Sequence, residues 1–157
     1  GAEALVAEMA SKGVLGEINP TSNAVILGVE GAAHPYGWLR SHGVPTSLST
    51  DDPGILRIDL SNEYARAAGE GASYADLEAS ARNAIAFSFL PGRGLWRDPG
   101  VYADADPACR ADLGQERPRA AACKALVEDS AKAREQWRHE WLLARFKAEH
   151  PGLFPPA

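Results

Sequence analysis

The chain contains 157 residues, of which 45% are hydrophobic and 24% are charged, and its formal net charge at pH 7 is −5. This is the composition of a soluble globular domain, and the longest apolar run, residues 24–29, is far too short to cross a membrane. General nucleic-acid binding requires a basic surface that so acidic a chain does not supply, so neither a nucleic-acid partner nor a membrane partner is expected.

Helices and short strands alternate over the first 90 residues or so. Leu5, Val6 and Met9 form an apolar stripe at helical spacing, and Gly13 follows them as a residue type that ends helices. Two short apolar runs are predicted as strands because turn-forming residues follow each of them. In chain order, the predicted elements are a helix at 2–12, a strand at 14–18, a helix at 35–41, a strand at 44–49, a helix at 61–68 and a helix at 73–89.

This alternation is typical of βα units around a parallel sheet. Two strands cannot close such a sheet, and a (β/α)₈ barrel needs about 250 residues. We therefore predict an α/β fold in which residues 1–97 form the C-terminal part of a TIM barrel, comprising its last two βα units. The remaining strands would come from a segment before Gly1 or from a partner. We prefer the first source because the chain opens in the middle of a unit.

The second half of the chain changes in character at residue 98. Residues 98–114 carry four acidic side chains together with Pro, Gly and small residues, which predicts a linker or long loop. Residues 115–149 then follow a helical pattern, as one kinked helix or as two. The apolar face of this pattern carries Leu126, Ala133, Trp137, Trp141 and Ala144. It would pack against the barrel or form an interface between copies of the chain. The predicted domains are therefore 1–97, 98–114 and a helical extension at 115–157.

Cys109 and Cys123 have 13 residues between them. This spacing is too wide for a Cys-x-x-Cys redox pair, and no second cluster of Cys or His makes them a zinc site. They are either two unrelated buried thiols or a disulfide that ties the loop to the following helix. The loop setting favours the disulfide, which would imply an oxidising compartment such as a bacterial periplasm, or secretion.

Polar side chains follow both predicted strands, where a parallel barrel carries its functional groups. The first strand ends in Glu-Ile-Asn-Pro-Thr-Ser-Asn at 17–23, and the second in Ser-Thr-Asp-Asp-Pro at 49–53. Successive side chains of an extended backbone point to opposite sides, so Asp51 and Asp52 can serve a metal and a substrate separately. An Asp-Asp-Pro-Gly surface turn is the alternative. Glu17 and Asn19 either reach the pocket or bond neighbouring loops, and residues 21–23 are expected to satisfy turn backbone groups.

Five motifs in this order resemble the adenosine deaminase family of the amidohydrolase superfamily. They are residues 17–23, His34-Pro35, Gly-Val-Pro-Thr-Ser-Leu-Ser-Thr-Asp-Asp-Pro at 43–53, Leu-Ser-Asn-Glu-Tyr at 60–64, and Arg-Asn-Ala at 82–84 running into Ser-Phe-Leu-Pro-Gly at 88–92. The resemblance extends from Gly13 to about Trp96, which is just over half of this chain and about the last quarter of such a barrel. The tail with the two cysteines looks like an extension found in some bacterial members.

The resemblance implies zinc-dependent hydrolytic deamination of a purine nucleoside, with adenosine converted to inosine and ammonia. Asp51 would be a zinc ligand and would hydrogen-bond the zinc-bound water. Zinc lowers the pKa of this water, so that hydroxide is present near neutral pH. Asp52 would contact N7 of the purine and orient the ring. The alternatives are a deaminase of another purine (adenine or AMP) and a non-catalytic remnant that kept the scaffold for binding or assembly.

The same resemblance implies metal ligands that this chain does not contain. The family requires a His-x-His pair, a third His, a proton-shuttling Glu and a further His that orients the water. The four histidines of this chain are His34, His42, His139 and His150, and none follows a predicted strand. A single Asp cannot hold zinc at useful affinity. The chain alone is therefore expected to be inactive, and the upstream part of the same barrel is the partner it requires.

Overall fold

The computed structural model describes residues 1–154, so the last three residues of the predicted 115–157 extension lie outside the described residues. Two compact units divide the chain between Ala84 and Ile85. The elements are α1 (Ala2–Lys12), β1 (Gly16–Ile18), α2 (Pro20–Ser22), a π-helical turn (Asn23–Leu27), a 3₁₀ turn (Gly31–Ala33), α3 (Tyr36–Ser41), β2 (Thr46–Leu48), α4 (Pro53–Leu56), α5 (Leu60–Gly69), α6 (Tyr74–Ala86), a 3₁₀ turn (Arg110–Asp112), α7 (Ala121–Asp129), α8 (Ala131–Glu149) and a 3₁₀ turn (Pro151–Leu153).

The first unit is built around a small parallel sheet. Strands β1 and β2 pair in parallel, with Gly16 opposite Thr46 and Ile18 opposite Leu48. Both strands are shorter than predicted, and they are the two strands of the sheet that the described residues form. The predicted mixture of helices with a parallel sheet is therefore confirmed, whereas the barrel around it stays a prediction.

Helix α6 satisfies backbone groups of β2 through two buried side chains. The Leu48 amide donates to Ser80 Oγ over 2.9 Å, and Asn83 Nδ2 donates to the Thr46 carbonyl over 2.8 Å. Buried backbone groups of a strand need such partners, because an unpaired one costs a desolvation penalty. The helix is thereby registered against the strand that precedes the Asp-Asp pair.

Apolar packing also stabilises the first unit. The core consists of buried Ile18, Tyr36, Leu48 and Ala67. Leu39, Tyr64, Ala72 and Leu77 pack against it while remaining partly exposed. Strands and helices of both halves of the unit thus contribute to one core, which fixes the positions at which the two strands end.

Local signals set the helix ends. Helix α1 has the predicted bounds, and Gly13 ends it at φ 62°, in the left-handed region that glycine enters without strain. At the start of α6, Ser73 and Asp76 exchange two hydrogen bonds, because the Ser73 amide donates to Asp76 Oδ2 (2.8 Å) and the Asp76 amide donates to Ser73 Oγ (3.2 Å).

The start of α5 differs from the prediction. The sequence predicts a helix that opens at Ser61, but Asp59 is the N-cap and Asn62 completes a capping box with it. Asp is as good an N-cap as Ser, and here its oxygen accepts the Asn62 amide at 3.0 Å. Helix α6 also ends earlier than predicted, at Ala86 instead of Phe89.

The second unit is formed by the tail helices and an irregular segment before them. The predicted 115–149 helical pattern is two helices, α7 and α8, that meet at Ser130. The Ser130 hydroxyl donates to the Arg93 carbonyl (2.7 Å) and accepts the Ala133 amide (3.1 Å), so it caps α8 and anchors an upstream loop. Gly92, at φ 94°, lies so close to Ser130 that an added Cβ would overlap it, which leaves glycine as the residue that fits.

Residues 95–137 supply the core of this unit. Its buried members are Leu95, Trp96, Ala105, Cys109, Cys123, Leu126, Ala133 and Trp137. Two of them, Ala105 and Cys109, lie within residues 98–114, the segment with the predicted linker composition. Within residues 1–154, the helices are all too short or too polar to qualify as membrane-spanning segments.

Candidate functional site

Two loops meet at one edge of the small sheet in the first unit. Because β1 and β2 are parallel, both of their carboxyl ends lie at this edge. The loop after β1 contains Ser22, and the loop after β2 contains Asp51. The Ser22 hydroxyl donates to Asp51 Oδ2 over 2.8 Å and joins the two loops. The sequence placed these residues at strand ends, and the structure brings them together.

Asp51 has an uncommon backbone conformation. Its φ is 56°, in the left-handed region, where a residue other than glycine is under strain. Asp and Asn tolerate this region better than most residues, since their short polar side chains can bond locally. The carboxylate of Asp51 is bonded instead by Ser22 of the other loop, and this bond leaves the second carboxylate oxygen, Oδ1, without a hydrogen bond among the described residues.

Asp52 lies in a different setting from its neighbour. It is exposed and forms the N-cap of α4 with its backbone, whose carbonyl accepts the amides of Ile55 (3.1 Å) and Leu56 (3.0 Å). Its side chain caps nothing. The Asp51 carboxylate is therefore bonded by Ser22, whereas the Asp52 side chain is exposed and makes no capping bond. This difference is compatible with separate roles for the two.

Glu63 belongs to the motif at 60–64, but sequence reasoning assigned it no role in the site. It lies in the first turn of α5 and is completely buried. Its Oε2 accepts the backbone amide of Thr21 over 2.9 Å, while its Oε1 is buried without a partner in the described part of the chain. A Glu in a first helical turn is an ordinary interaction with the helix dipole, so its sequence position carries no signal of this long-range contact.

The side chains of residues 21–23 do more than the predicted bonding of turn backbone. Ser22 bonds Asp51, and Asn23 Oδ1 lies 2.9 Å from Nε2 of the buried His34. The Tyr36 amide donates to His34 Nδ1 over 3.1 Å. Nδ1 is thus the acceptor and Nε2 carries the proton that is donated to Asn23. His34 therefore connects the loop after β1 to the start of α3 and is engaged at both ring nitrogens.

Glu17 and Asn19, the other polar candidates, have separate environments. Glu17 is exposed in the middle of β1, opposite Ser47. Asn19 is the N-cap of α2 without a capping bond from its side chain, and its Oδ1 is buried with no partner in the described part of the chain. Neither side chain bonds the Asp-Asp pair among residues 1–154.

The described residues contain no group of three or more His, Cys, Asp or Glu side chains that could hold a metal ion. Asp51 nevertheless has the properties of a single ligand, because it is exposed and one oxygen of its carboxylate accepts a hydrogen bond from the Ser22 hydroxyl. Partners of this kind orient metal ligands in proteins. His42 ends α3 with Nδ1 2.8 Å from the Trp38 carbonyl, and His139 and His150 belong to the second unit.

Several groups of the first unit have pKa values shifted by burial or by hydrogen bonds. Burial raises the pKa of Tyr36 and the pKa of Tyr64. For Asp76, burial acts to raise the pKa, but hydrogen bonds from Ser73 and the Arg40 guanidinium outweigh it and hold the pKa below its usual range. These groups lie in the core and at the start of α6, not on the two loops that meet at the sheet edge.

Cys109 and Cys123 form a disulfide in the second unit, with their Cα atoms 4.8 Å apart. Both residues are completely buried. The bond joins the segment before the 3₁₀ turn at Arg110–Asp112 to helix α7. Asp112 reinforces the same connection, because its Oδ2 accepts the amides of Arg119 (2.7 Å) and Ala120 (2.8 Å) just before α7 begins.

Comparison with known proteins identifies a family for the first unit. The adenosine deaminase family model matches residues 2–94, more than half of the chain. An adenine deaminase of Rhizobium johnstonii is 39% identical over 89 residues, which cover 55% of this chain and 27% of that protein. An aminodeoxyfutalosine deaminase of Streptomyces coelicolor is 36% identical over 95 residues (59% and 24%), and an adenosine deaminase of Escherichia coli is 37% identical over 60 residues (38% and 18%).

These relatives are all longer than the region they share with this chain. The chain spans about a quarter of the length of the first two relatives and less of the third. No solved structure matches the chain significantly. The matched region contains both strands, the two loops and helices α5 and α6, so it includes the whole of the candidate site.

Proposed function

Because this chain belongs to the adenosine deaminase family, we propose that the complete protein is a zinc-dependent aminohydrolase that converts adenosine to inosine and ammonia. In this proposal, residues 1–97 are the C-terminal portion of a (β/α)₈ barrel, residues 98–114 are a connecting segment, and residues 115–157 are an extension. The chain supplies the Asp-Asp motif of the eighth strand, and the upstream part of the barrel supplies the other ligands.

The observation that supports this proposal is the geometry of Asp51. Its carboxylate stands at the carboxyl end of a parallel strand, where barrel enzymes place functional groups, and Ser22 holds one of its oxygens at 2.8 Å. An exposed oxygen remains available to a cation. Backbone strain at φ 56° is of the kind found at functional sites, where surrounding contacts hold a residue in a costly conformation.

Zinc bound there would supply a nucleophile by lowering the pKa of its water to near neutrality. Asp51 would serve as one ligand and accept a hydrogen bond from that water. Asp52 would hold the purine through N7 and set the angle at which C6 is attacked. The free side chain of Asp52 suits this second role, since no capping bond has to be broken when the ring binds.

Deamination of adenine is a second candidate, because relatives named adenine deaminase match this chain over 88 or 89 residues. The two candidates differ in the sugar, which residues outside the two loops would bind. Release of ammonia from adenosine, adenine and AMP, compared as kcat/KM, separates them. Ammonia from none of the three, nor from aminodeoxyfutalosine, the substrate named for another relative, would favour a non-catalytic scaffold.

Two single substitutions in the complete protein test the separate roles. We expect Asp51→Asn to lower both the zinc content and the deaminase activity, because an amide is a poorer ligand than a carboxylate. Asp52→Ala is expected to retain zinc while kcat/KM falls, because alanine has no side-chain group that could contact N7 of the ring. Asp98→Asn, an exposed carboxylate in the second unit, is the control for loss of charge. An Asp51→Asn protein that deaminates adenosine as fast as the parent would contradict the metal assignment.

A further inference from the structure

We propose that Glu63 is a positioning residue for Asp51, acting through the turn that carries Ser22. The inference rests on the proposed function in one respect, namely that Asp51 is the zinc ligand. Glu63 itself contacts neither of the two aspartates in the hydrogen-bond network of residues 1–154. Its influence would pass through the backbone of α2.

Burial of Glu63 carries a free-energy cost. A completely buried carboxylate loses its hydration, and only a compensating network makes that loss tolerable. Glu63 makes a single hydrogen bond among the described residues and has its second oxygen unpartnered. An apolar side chain of similar volume would fill the same space without this penalty. The carboxylate is therefore not explained by core packing.

Capping of its own helix does not explain Glu63 either. Helix α5 is already capped by Asp59 and Asn62, which exchange two hydrogen bonds of 3.0 Å each. Glu63 follows that box and turns its carboxylate away to the loop after β1. Its bond to the Thr21 amide spans 42 positions of the chain, so it fixes a tertiary arrangement and not a local one.

The connection from Thr21 to Asp51 is short. Thr21 and Ser22 are consecutive residues of α2, a turn of three residues that opens with the completely buried Pro20. The bond to the Thr21 amide fixes the peptide unit between Pro20 and Thr21, one residue before Ser22. The Ser22 hydroxyl then donates to Asp51 Oδ2 over 2.8 Å. The route from Glu63 to Asp51 thus consists of two hydrogen bonds and the three-residue turn between them.

The test combines a variant that breaks the first bond with one that preserves it. Glu63→Leu removes the acceptor, and Glu63→Gln keeps an amide oxygen that can accept from Thr21. In this chain, without metal, we expect Glu63→Leu to speed hydrogen exchange of the Thr21 amide about tenfold. It should also shift the NMR signal of the Asp51 carboxyl carbon, while Glu63→Gln leaves both near the parent values. If Glu63→Leu does not fold, Glu63→Asp, one methylene too short to reach the amide, replaces it.

In the complete protein the same variants are compared for zinc affinity, measured by competition with a chromophoric chelator. Loss of an outer partner of a metal ligand weakens binding about 10- to 100-fold, and we expect Glu63→Leu to lie in this range. Ser22→Ala should weaken it similarly. Because Glu63 acts through Ser22, the double variant should bind zinc no more weakly than Ser22→Ala alone.

Additive losses in the double variant would overturn the proposal, as would an unchanged Asp51 signal together with unchanged zinc affinity in Glu63→Leu. Failure of the proposed function is recognised separately. A complete protein that binds no zinc and releases no ammonia refutes that function, while the response of Asp51 in the metal-free chain still decides whether Glu63 positions it.

Discussion

At the scale of the residue, Asp51 combines strain with restraint. Its left-handed backbone conformation is unfavourable for a residue with a Cβ, and the one hydrogen bond to its carboxylate within residues 1–154 comes from Ser22, 29 positions earlier. A surface turn that merely reversed the chain would be more stable with glycine at this position. The presence of an aspartate is therefore better explained by its carboxylate than by its backbone.

This explanation predicts how two small substitutions at Asp51 differ. Both Asp51→Ala and Asp51→Gly lose the bond to Ser22, but only alanine keeps a Cβ in the left-handed region, which costs roughly 1–2 kcal/mol. Asp51→Gly should therefore be more stable than Asp51→Ala by about that amount in urea unfolding of this chain. Equal stabilities of the two variants would mean that the φ of 56° is not retained in solution.

At the scale of the element, local sequence signals predict where several helices begin or end, but they do not predict the contacts of the candidate site. Gly13 after α1 and the Ser73–Asp76 pair at α6 lie within four residues of the ends that they set, so periodicity and capping rules find them. The residue types at 19–23 predict a turn without long-range contacts. The side chains that bond this turn from elsewhere, Glu63 and Asp51, are 42 and 29 positions from their partners, and no periodic pattern contains that information.

The contacts of Asp76 at the start of α6 make the free energy of unfolding depend on pH in the acid range. Asp76 accepts two hydrogen bonds from Ser73 and pairs with Arg40, and its pKa is lowered in the folded chain. A lowered folded pKa means that the contribution is complete above the unfolded value, about 3.9. It is lost as the pH falls from there through the folded pKa.

We therefore expect the free energy of unfolding of this chain to decrease below about pH 4, and to decrease less steeply in Asp76→Asn. Urea unfolding between about pH 6 and pH 3 measures both slopes. The exposed Glu3→Gln on α1 is the control for removal of an acid of the same unit. Parallel curves for the parent and Asp76→Asn would contradict a stabilising role of the ionised carboxylate.

At the scale of the whole molecule, the two units depend on different forces. The first is held by a small sheet, a modest apolar core and buried polar bonds, and the family match at residues 2–94 covers nearly all of it and continues into the second unit. The second begins at Ile85 and has a core of its own that includes both half-cystines and two tryptophans. Its irregular segment between Trp96 and α7 has little regular structure to order it, so the Cys109–Cys123 bond is its main covalent restraint.

Reduction of that bond should therefore destabilise the second unit. The two cysteines are 14 positions apart, and closing a loop of this length in the unfolded chain stabilises a fold by about 3 kcal/mol. Three of the four tryptophans, Trp96, Trp137 and Trp141, lie in this unit, so tryptophan fluorescence reports mainly on it. The fluorescence transition in urea should move to lower concentration when reductant is present during unfolding. A double Cys109→Ala and Cys123→Ala variant should unfold at the lower midpoint with or without reductant, and a parent transition that reductant leaves unmoved would show that the loop is ordered by its packing alone.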